Sequence, residues 1–134
     1  MPFTNARYHI VFPTYRRRKW LNPEYDKLLY PVLGRIVKNA RGLPLAIGGW
    51  YDHVHIVCDL KPNRSIAAHI SRLKSQSAGA LKRNFDELGQ FRWARSYGAF
   101  SVTPWDCDRV IEYVNNQKQR HGADELWPDW ERWD

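Results

Sequence analysis

Residues 45–60 read LAIGGWYDHVHIVCDL. Two runs suited to strands, Leu45–Trp50 and His53–Leu60, flank a tight turn near Tyr51-Asp52. In a strand, residues i and i+2 leave the same side of the sheet. Val54, Ile56, Cys58 and Leu60 therefore form one apolar face, and His53, His55, Val57 and Asp59 form the other. An apolar face demands a packed partner, so the two histidines are expected on the side away from the helices.

The pattern extends outward in both directions. Tyr8–Tyr15, YHIVFPTY, reads as a first strand, and Arg16-Arg17-Arg18-Lys19 follows as a basic exit loop. Asn22-Pro23-Glu24 is a helix start: Asn caps, Pro suits the first turn, and Glu favours the positive end of the dipole. Leu28, Leu29, Val32, Leu33, Ile36 and Val37 then recur at helical spacing until Gly42 and Pro44. Lys61-Pro62-Asn63 breaks the chain after the third strand, and Ser65 is placed to cap a second helix. Its apolar stripe is Ile66, Ile70, Leu73, Ser77 and Leu81. A fourth strand is expected through Phe91–Val102, interrupted at Gly98. Pro104 and Asp106 open a third helix, with Val110, Ile111 and Val114 on its apolar side and Gly122 at its end.

The order β-α-β-β-α-β-α matches the split βαβ plan. The expectation is an α+β, ferredoxin-like antiparallel sheet with helices on one face, an added C-terminal helix, and the other face free to bind something. Residues 1–122 would form this domain. Residues 123–134 would form an acidic, Trp-rich tail.

Composition narrows the function. Of 134 residues, 43% are hydrophobic and 26% charged, which is neither a disordered tail nor a membrane protein. No apolar run approaches the ~20 residues that span a bilayer, and the N-terminus lacks the zones of a signal peptide, so a cytoplasmic location is expected. Cys58 and Cys107 are too few for a disulfide scaffold and too far apart for a zinc knuckle; plain thiols are expected, with a bridge between them left open.

The net charge of +7 is uneven. Residues 1–23 hold five basic and no acidic side chains, and residues 60–85 hold six and none. Such blocks mark a polyanion binder, or else a solvated basic face. Aromatic residues at 14%, interleaved with the basic blocks, suit single-stranded nucleic acid, where bases stack on rings and phosphates meet cations. Arg16, Arg17, Arg18, Lys19, Arg72, Lys74, Lys82 and Arg83 are the candidate phosphate contacts. Trp50, Tyr51, Trp93 and Tyr97 are candidates to stack bases or to fill the core.

Two pairs carry chemistry. His53 and His55 leave one strand face together, close enough to share a metal ion, although an H-x-H pair also arises by chance. Tyr113 and Gln117, four apart, lie one above the other on the last helix, on a stripe that continues to Arg120 and His121. The plain alternative there is an amphipathic helix with a half-buried tyrosine. His9 and His69 read as ordinary strand and helix residues, although His9 lies near enough to flank a site.

The chain resembles the single-strand DNA transposases of bacterial insertion sequences, HUH-superfamily enzymes with one nucleophilic tyrosine. Tyr8–Arg17 (YHIVFPTYRR), Asp52–Val57 (DHVHIV), Ser71-Arg72-Leu73-Lys74, Tyr97–Val102 (YGAFSV) and Ile111–His121 (IEYVNNQKQRH) carry the likeness, across most of residues 6–122. The REP-associated tyrosine transposases share this core. The resemblance implies Tyr113 as the catalytic nucleophile and His53, His55 and Gln117 as ligands of a divalent metal, Mg²⁺ or Mn²⁺. It implies a 5′-phosphotyrosine intermediate, single-stranded DNA with hairpin ends as the partner, and a homodimer whose tyrosine helix can dock on either chain's histidines. A non-catalytic ferredoxin-like module that binds single-stranded nucleic acid is the alternative from another class. A replication-initiator nuclease is a third, disfavoured by the short chain.

Overall fold

The computed structural model describes residues 6–117 of the chain. The expectations for Arg120, His121, Gly122 and the tail 123–134 lie outside the described residues. Four strands form one antiparallel sheet: β1 (Arg7–Pro13), β2 (Leu43–Trp50), β3 (His53–Asp59) and β4 (Gly98–Ser101), in the order β2-β3-β1-β4. Three helices accompany them: α1 (Asp26–Asn39), α2 (Ile66–Asn84) and α3 (Cys107–Asn115). This is the expected α+β, ferredoxin-like order with its added helix.

The alternation within β3 sets the layers. Val54, Ile56 and Cys58 pack with Ile10 and Phe12 of β1 against Leu29, Leu33, Ile36 and Val37 of α1 and Ile70, Leu73 and Leu81 of α2. These side chains leave water together, and each contributes roughly 1.5–3 kcal/mol of burial. Ser65 caps α2 as expected, its hydroxyl accepting from the Ala68 N–H at 3.1 Å. Asn22 also caps, but the turn it opens is a 3₁₀ turn, Pro23–Tyr25, and α1 begins only at Asp26.

The fourth strand is shorter than expected. Phe91 and Trp93 alternate like strand residues, yet both are buried in the helix-side core. The Trp93 indole N–H donates to the buried Ser77 hydroxyl at 3.0 Å. The carbonyls of Ala94, Arg95 and Ser96 accept from the Lys74 ammonium at 2.6, 3.2 and 3.3 Å instead of from a neighbouring strand. One isolated bridge, Thr14 to Trp93, is what remains of pairing there, and regular pairing starts at Gly98.

The second face of the sheet also differs from expectation. It is not left open, because α3 lies across β2 and β3 there, with Val110 and Val114 on Ala46 and Val57. Gly48 permits this. A Cβ at Gly48 would overlap the Val114 carbonyl, so helix backbone rests directly on strand backbone. Both cysteines are buried free thiols, Cys58 toward α1 and α2 and Cys107 at the start of α3.

Candidate active site

The register of the sheet assembles a polar cluster under α3. His53 pairs across β1 with Pro13, His55 with Val11, and Val57 with His9, so His9, His53 and His55 share one face. All three imidazoles are buried. The His53 and His55 ring centroids lie 5.0 Å apart. His9, diagonal to His55 across the ladder, reaches it: its Nε2 stands 2.8 Å from His55 Nδ1, with the rings stacked.

Helix α3 supplies Tyr113, and Gln117 follows just past its C-cap, Asn116, where α3 ends short of the expected Gly122. The Tyr113 ring meets His55 edge to face, centroids 5.8 Å apart. One turn later Gln117 places Oε1 3.2 Å from His53 Nε2. Its amide N–H donates to the Tyr113 carbonyl at 3.4 Å. Tyr113 is 0% exposed and Gln117 is 1% exposed. The structure therefore brings His53, His55, Tyr113 and Gln117 together within one chain, and α3 closes over them. Beside α3 a cleft of about 190 Å³ is lined by His9, Phe100, Asp106 and Arg109.

Asp52 adds the charge. Its Oδ1 stands 2.7 Å from His53 Nδ1, and its Oδ2 accepts from Arg17 Nε at 3.2 Å. Burial opposes ionisation of Asp52, but the hydrogen bond and charge of His53, together with Arg17, hold its carboxyl down at about 2. An ionised carboxylate accepts only, so His53 donates from Nδ1. On the other side of the ring, Nε2 stands within hydrogen-bond distance of Gln117 Oε1, at 3.2 Å. That spacing is close to the edge of a coordination polyhedron with ligand bonds of roughly 2.1 Å. Two imidazoles and an amide oxygen are donors that suit a divalent cation. No group of three His, Cys, Asp or Glu side chains that could hold a metal ion is found among the described residues.

The candidate phosphate contacts divide between the two sides of the sheet. Arg16, Arg17, Arg18 and Lys19 follow β1 beside Asp52 and the histidines. The Arg16, Arg18 and Arg92 guanidiniums all lie over the Tyr15 ring, Arg92 nearest at 4.3 Å. Arg72, Lys74, Lys82 and Arg83 lie on α2, across the sheet. Lys74 spends its ammonium on the three carbonyls named above. Lys74 and Lys82 nonetheless line a groove of about 450 Å³ with Arg92, Arg95, Trp93 and Tyr97. Of the stacking candidates, Trp93 belongs to the core, Trp50 and Tyr51 are half-buried against each other, and Tyr97 is exposed. His69 is structural: its Nε2 bonds the Lys61 carbonyl at 3.0 Å.

Sequence reasoning passed over Asp52, and it weighed His9 as an ordinary strand residue. Asp52 carried a signal, since an acid next to a candidate ligand histidine is a natural orienting partner. His9 could flank a site by its place on the first strand, but its contact with His55 depends on strand register. Arg92 and Arg95 were also passed over, lying in the segment taken for strand.

The fold and the cluster define an α+β, ferredoxin-like domain whose polar chemistry, histidines with a helix-borne tyrosine and glutamine, sits on the sheet face opposite the main core. The chain belongs to the IS200-like transposase family, whose description, "Transposase IS200 like", it matches over residues 2–117. It is 28% identical over 121 residues to the transposase for insertion sequence element IS200 of Salmonella typhimurium, covering 84% of this chain and 77% of that protein. The corresponding transposase of Salmonella typhi matches to the same extent. Two solved structures share the fold. The crystal structure of "a putative transposase" from Deinococcus radiodurans R1 superposes with TM-score 0.68 at 23% identity, over 87% of this chain and 95% of that one. A REP-associated tyrosine transposase bound to a REP hairpin gives TM-score 0.66 at 14% identity, over 99% of this chain and 79% of that one.

Proposed function

We propose that the chain cuts and rejoins single-stranded transposon ends through a 5′-phosphotyrosine on Tyr113. The observation that carries this reading is the convergence of Tyr113 and Gln117 on His53 and His55 in a member of a transposase family. Residues 1–122 are the transposase domain in this reading, with residues 123–134 as an appended tail. His53, His55 and Gln117 would hold Mg²⁺ or Mn²⁺. When bound, the ion supplies Lewis-acid polarisation of the scissile phosphate.

Tyr113 attacks in line: its phenolic oxygen bonds to phosphorus, the bond from phosphorus to the 3′-oxygen breaks, and the phenolic proton goes in net to the 3′-hydroxyl released. Because the phosphodiester energy is retained in the phosphotyrosine, a second 3′-hydroxyl can reverse the step and join a new end. Arg16, Arg17, Arg18 and Lys19 hold phosphates on the site's side of the sheet. Arg72, Lys74, Lys82 and Arg83 on α2 serve hairpin DNA on the other. The likeness to a hairpin-bound relative supports this partner. Tyr113 is fully buried, so DNA reaches it when α3 lifts from Gly48. The exposed connection Thr103–Asp106 is the natural pivot. In a homodimer the lifted helix can re-dock on its own chain or on the partner.

The test uses a labelled single-stranded oligonucleotide carrying the element's own hairpin end, with Mn²⁺. Wild-type protein becomes covalently labelled, and Tyr113→Phe binds without labelling. Labelling that survives Tyr113→Phe removes the nucleophile assignment. Binding indifferent to metal and chelator, with no cleavage, leaves a non-catalytic binding module. Mixing Tyr113→Phe with His53→Ala chains restores cleavage if sites are shared between protomers.

A further inference from the structure

We propose that Asp52 is a positioning residue that joins the arginine turn to His53. One carboxylate oxygen holds the imidazole in the Nδ1–H tautomer, with Nε2 turned toward Gln117. The other grips Arg17. The proposal rests on the reading of His53 as a metal ligand and adds to it a residue that touches neither metal nor DNA.

Three observations carry it. First, both oxygens of Asp52 are engaged, at 2.7 Å by His53 Nδ1 and at 3.2 Å by Arg17 Nε, so the carboxylate is an orienting group and not itself a ligand. A carboxylate on the distal nitrogen of a ligand histidine sets its tautomer and ring orientation. Second, residue 52 is pinned by its backbone as well. Its carbonyl accepts from the Thr14 N–H at 2.8 Å. Third, the turn it holds is strained. Arg16 and Arg17 both have φ of 55°, the left-handed region that side-chain-bearing residues avoid. Such a conformation persists where surroundings over-determine it. Here the holds are the ion pair to Asp52, the Arg17 N–H to the Thr14 carbonyl at 2.9 Å, and the Thr14 hydroxyl to the Arg18 carbonyl at 2.6 Å.

The consequence is mechanical. Phosphates engaged by the exposed Arg16 and Arg18 are set in register with His53 through a single residue. Substrate grip and ligand orientation then move as a unit.

The experiment reads His53 directly. In metal-free protein under mildly alkaline conditions, ¹⁵N NMR of the imidazole shows the Nδ1–H tautomer in wild type. Asp52→Ala shifts it toward Nε2–H. In the same variant Mn²⁺ affinity, followed by electron paramagnetic resonance, falls on the order of 10–100-fold. Asp52→Asn keeps an acceptor oxygen at nearly the same place and restores both the tautomer and most of the Mn²⁺ affinity. Arg17→Ala keeps the wild-type tautomer while weakening binding of a short oligothymidylate. Circular dichroism confirms that each variant is folded. A wild-type tautomer in folded Asp52→Ala, or Mn²⁺ affinity within twofold of wild type, overturns the proposal. A wild-type chain that binds no Mn²⁺ overturns the metal reading instead, and the tautomer measurement still decides what Asp52 does to His53.

Discussion

The two faces of the sheet are built from the same strands and do opposite work. On the helix side, Phe12, Val54, Ile56, Leu33, Leu73 and Phe91 form a continuous apolar core. On the other, a smaller cluster of Ala46, Val57, Val110 and Val114 shares the interface with the buried Tyr113 ring, three buried histidines and a glutamine. Apolar burial is larger on the first face, where the polar Ser77 and Trp93 indole bond each other. The second face holds its helix by fewer apolar side chains and a polar cluster, which fits the proposal that α3 moves.

The most direct way to break this contrast is to damage each face in turn. Leu33→Ala on the helix side should cost about 2–5 kcal/mol in urea unfolding, more than Val114→Ala on the α3 side. An equal loss for Val114→Ala would erase the distinction. Gly48→Ala should cost less, about 1–3 kcal/mol, since the new methyl overlaps the Val114 carbonyl and α3 gives way before the sheet does. Hydrogen exchange should then rise along Cys107–Asn115 while α1 and α2 stay protected. Uniform exchange across the molecule would show that α3 is not the weaker partner.

Smaller effects sharpen the comparison. Lys74→Met leaves the carbonyls of Ala94, Arg95 and Ser96 to water, and a loss of about 1–2 kcal/mol is expected, with faster proteolysis confined to that segment. Protection unchanged in 94–96 would mean the ammonium does not hold the bend. The smallest effect concerns pH. Burial on the core face, then the charge of Asp59, pushes the Cys58 thiol from 9.0 up to about 12. The unfolded chain therefore ionises first. The contribution of Cys58 to stability is complete below pH 9 and is lost as pH rises toward 12. Urea midpoints of wild type should fall more steeply across that window than those of Cys58→Ala. Parallel curves would place the thiol in water.

Much of this was legible because local periodicity is strong. The period of two in His53–Leu60 separated histidines from core, and the four-residue spacing of Tyr113 and Gln117 put them one turn apart, although α3 itself ends at Asn115. Ser65 read correctly as a cap because its geometry involves only three neighbouring residues. Phe91–Val102 misread because Phe91 and Trp93 alternate as strand residues do, while the carbonyls of Ala94, Arg95 and Ser96 find their partner in Lys74, some twenty residues away. The open sheet face misread for a related reason. Nothing local in Cys107–Asn115 states which surface its apolar stripe meets.

From the order of residues alone came the core face of the sheet, the side on which His53 and His55 stand, and the one-turn spacing of Tyr113 and Gln117, all consequences of backbone repeat. Only the folded chain decided that α3 rests on Gly48, that His9 reaches His55, and that Asp52 ties Arg17 to His53. Those contacts depend on strand register and on helix docking, which sum many weak interactions between distant residues and leave no periodic trace in the sequence.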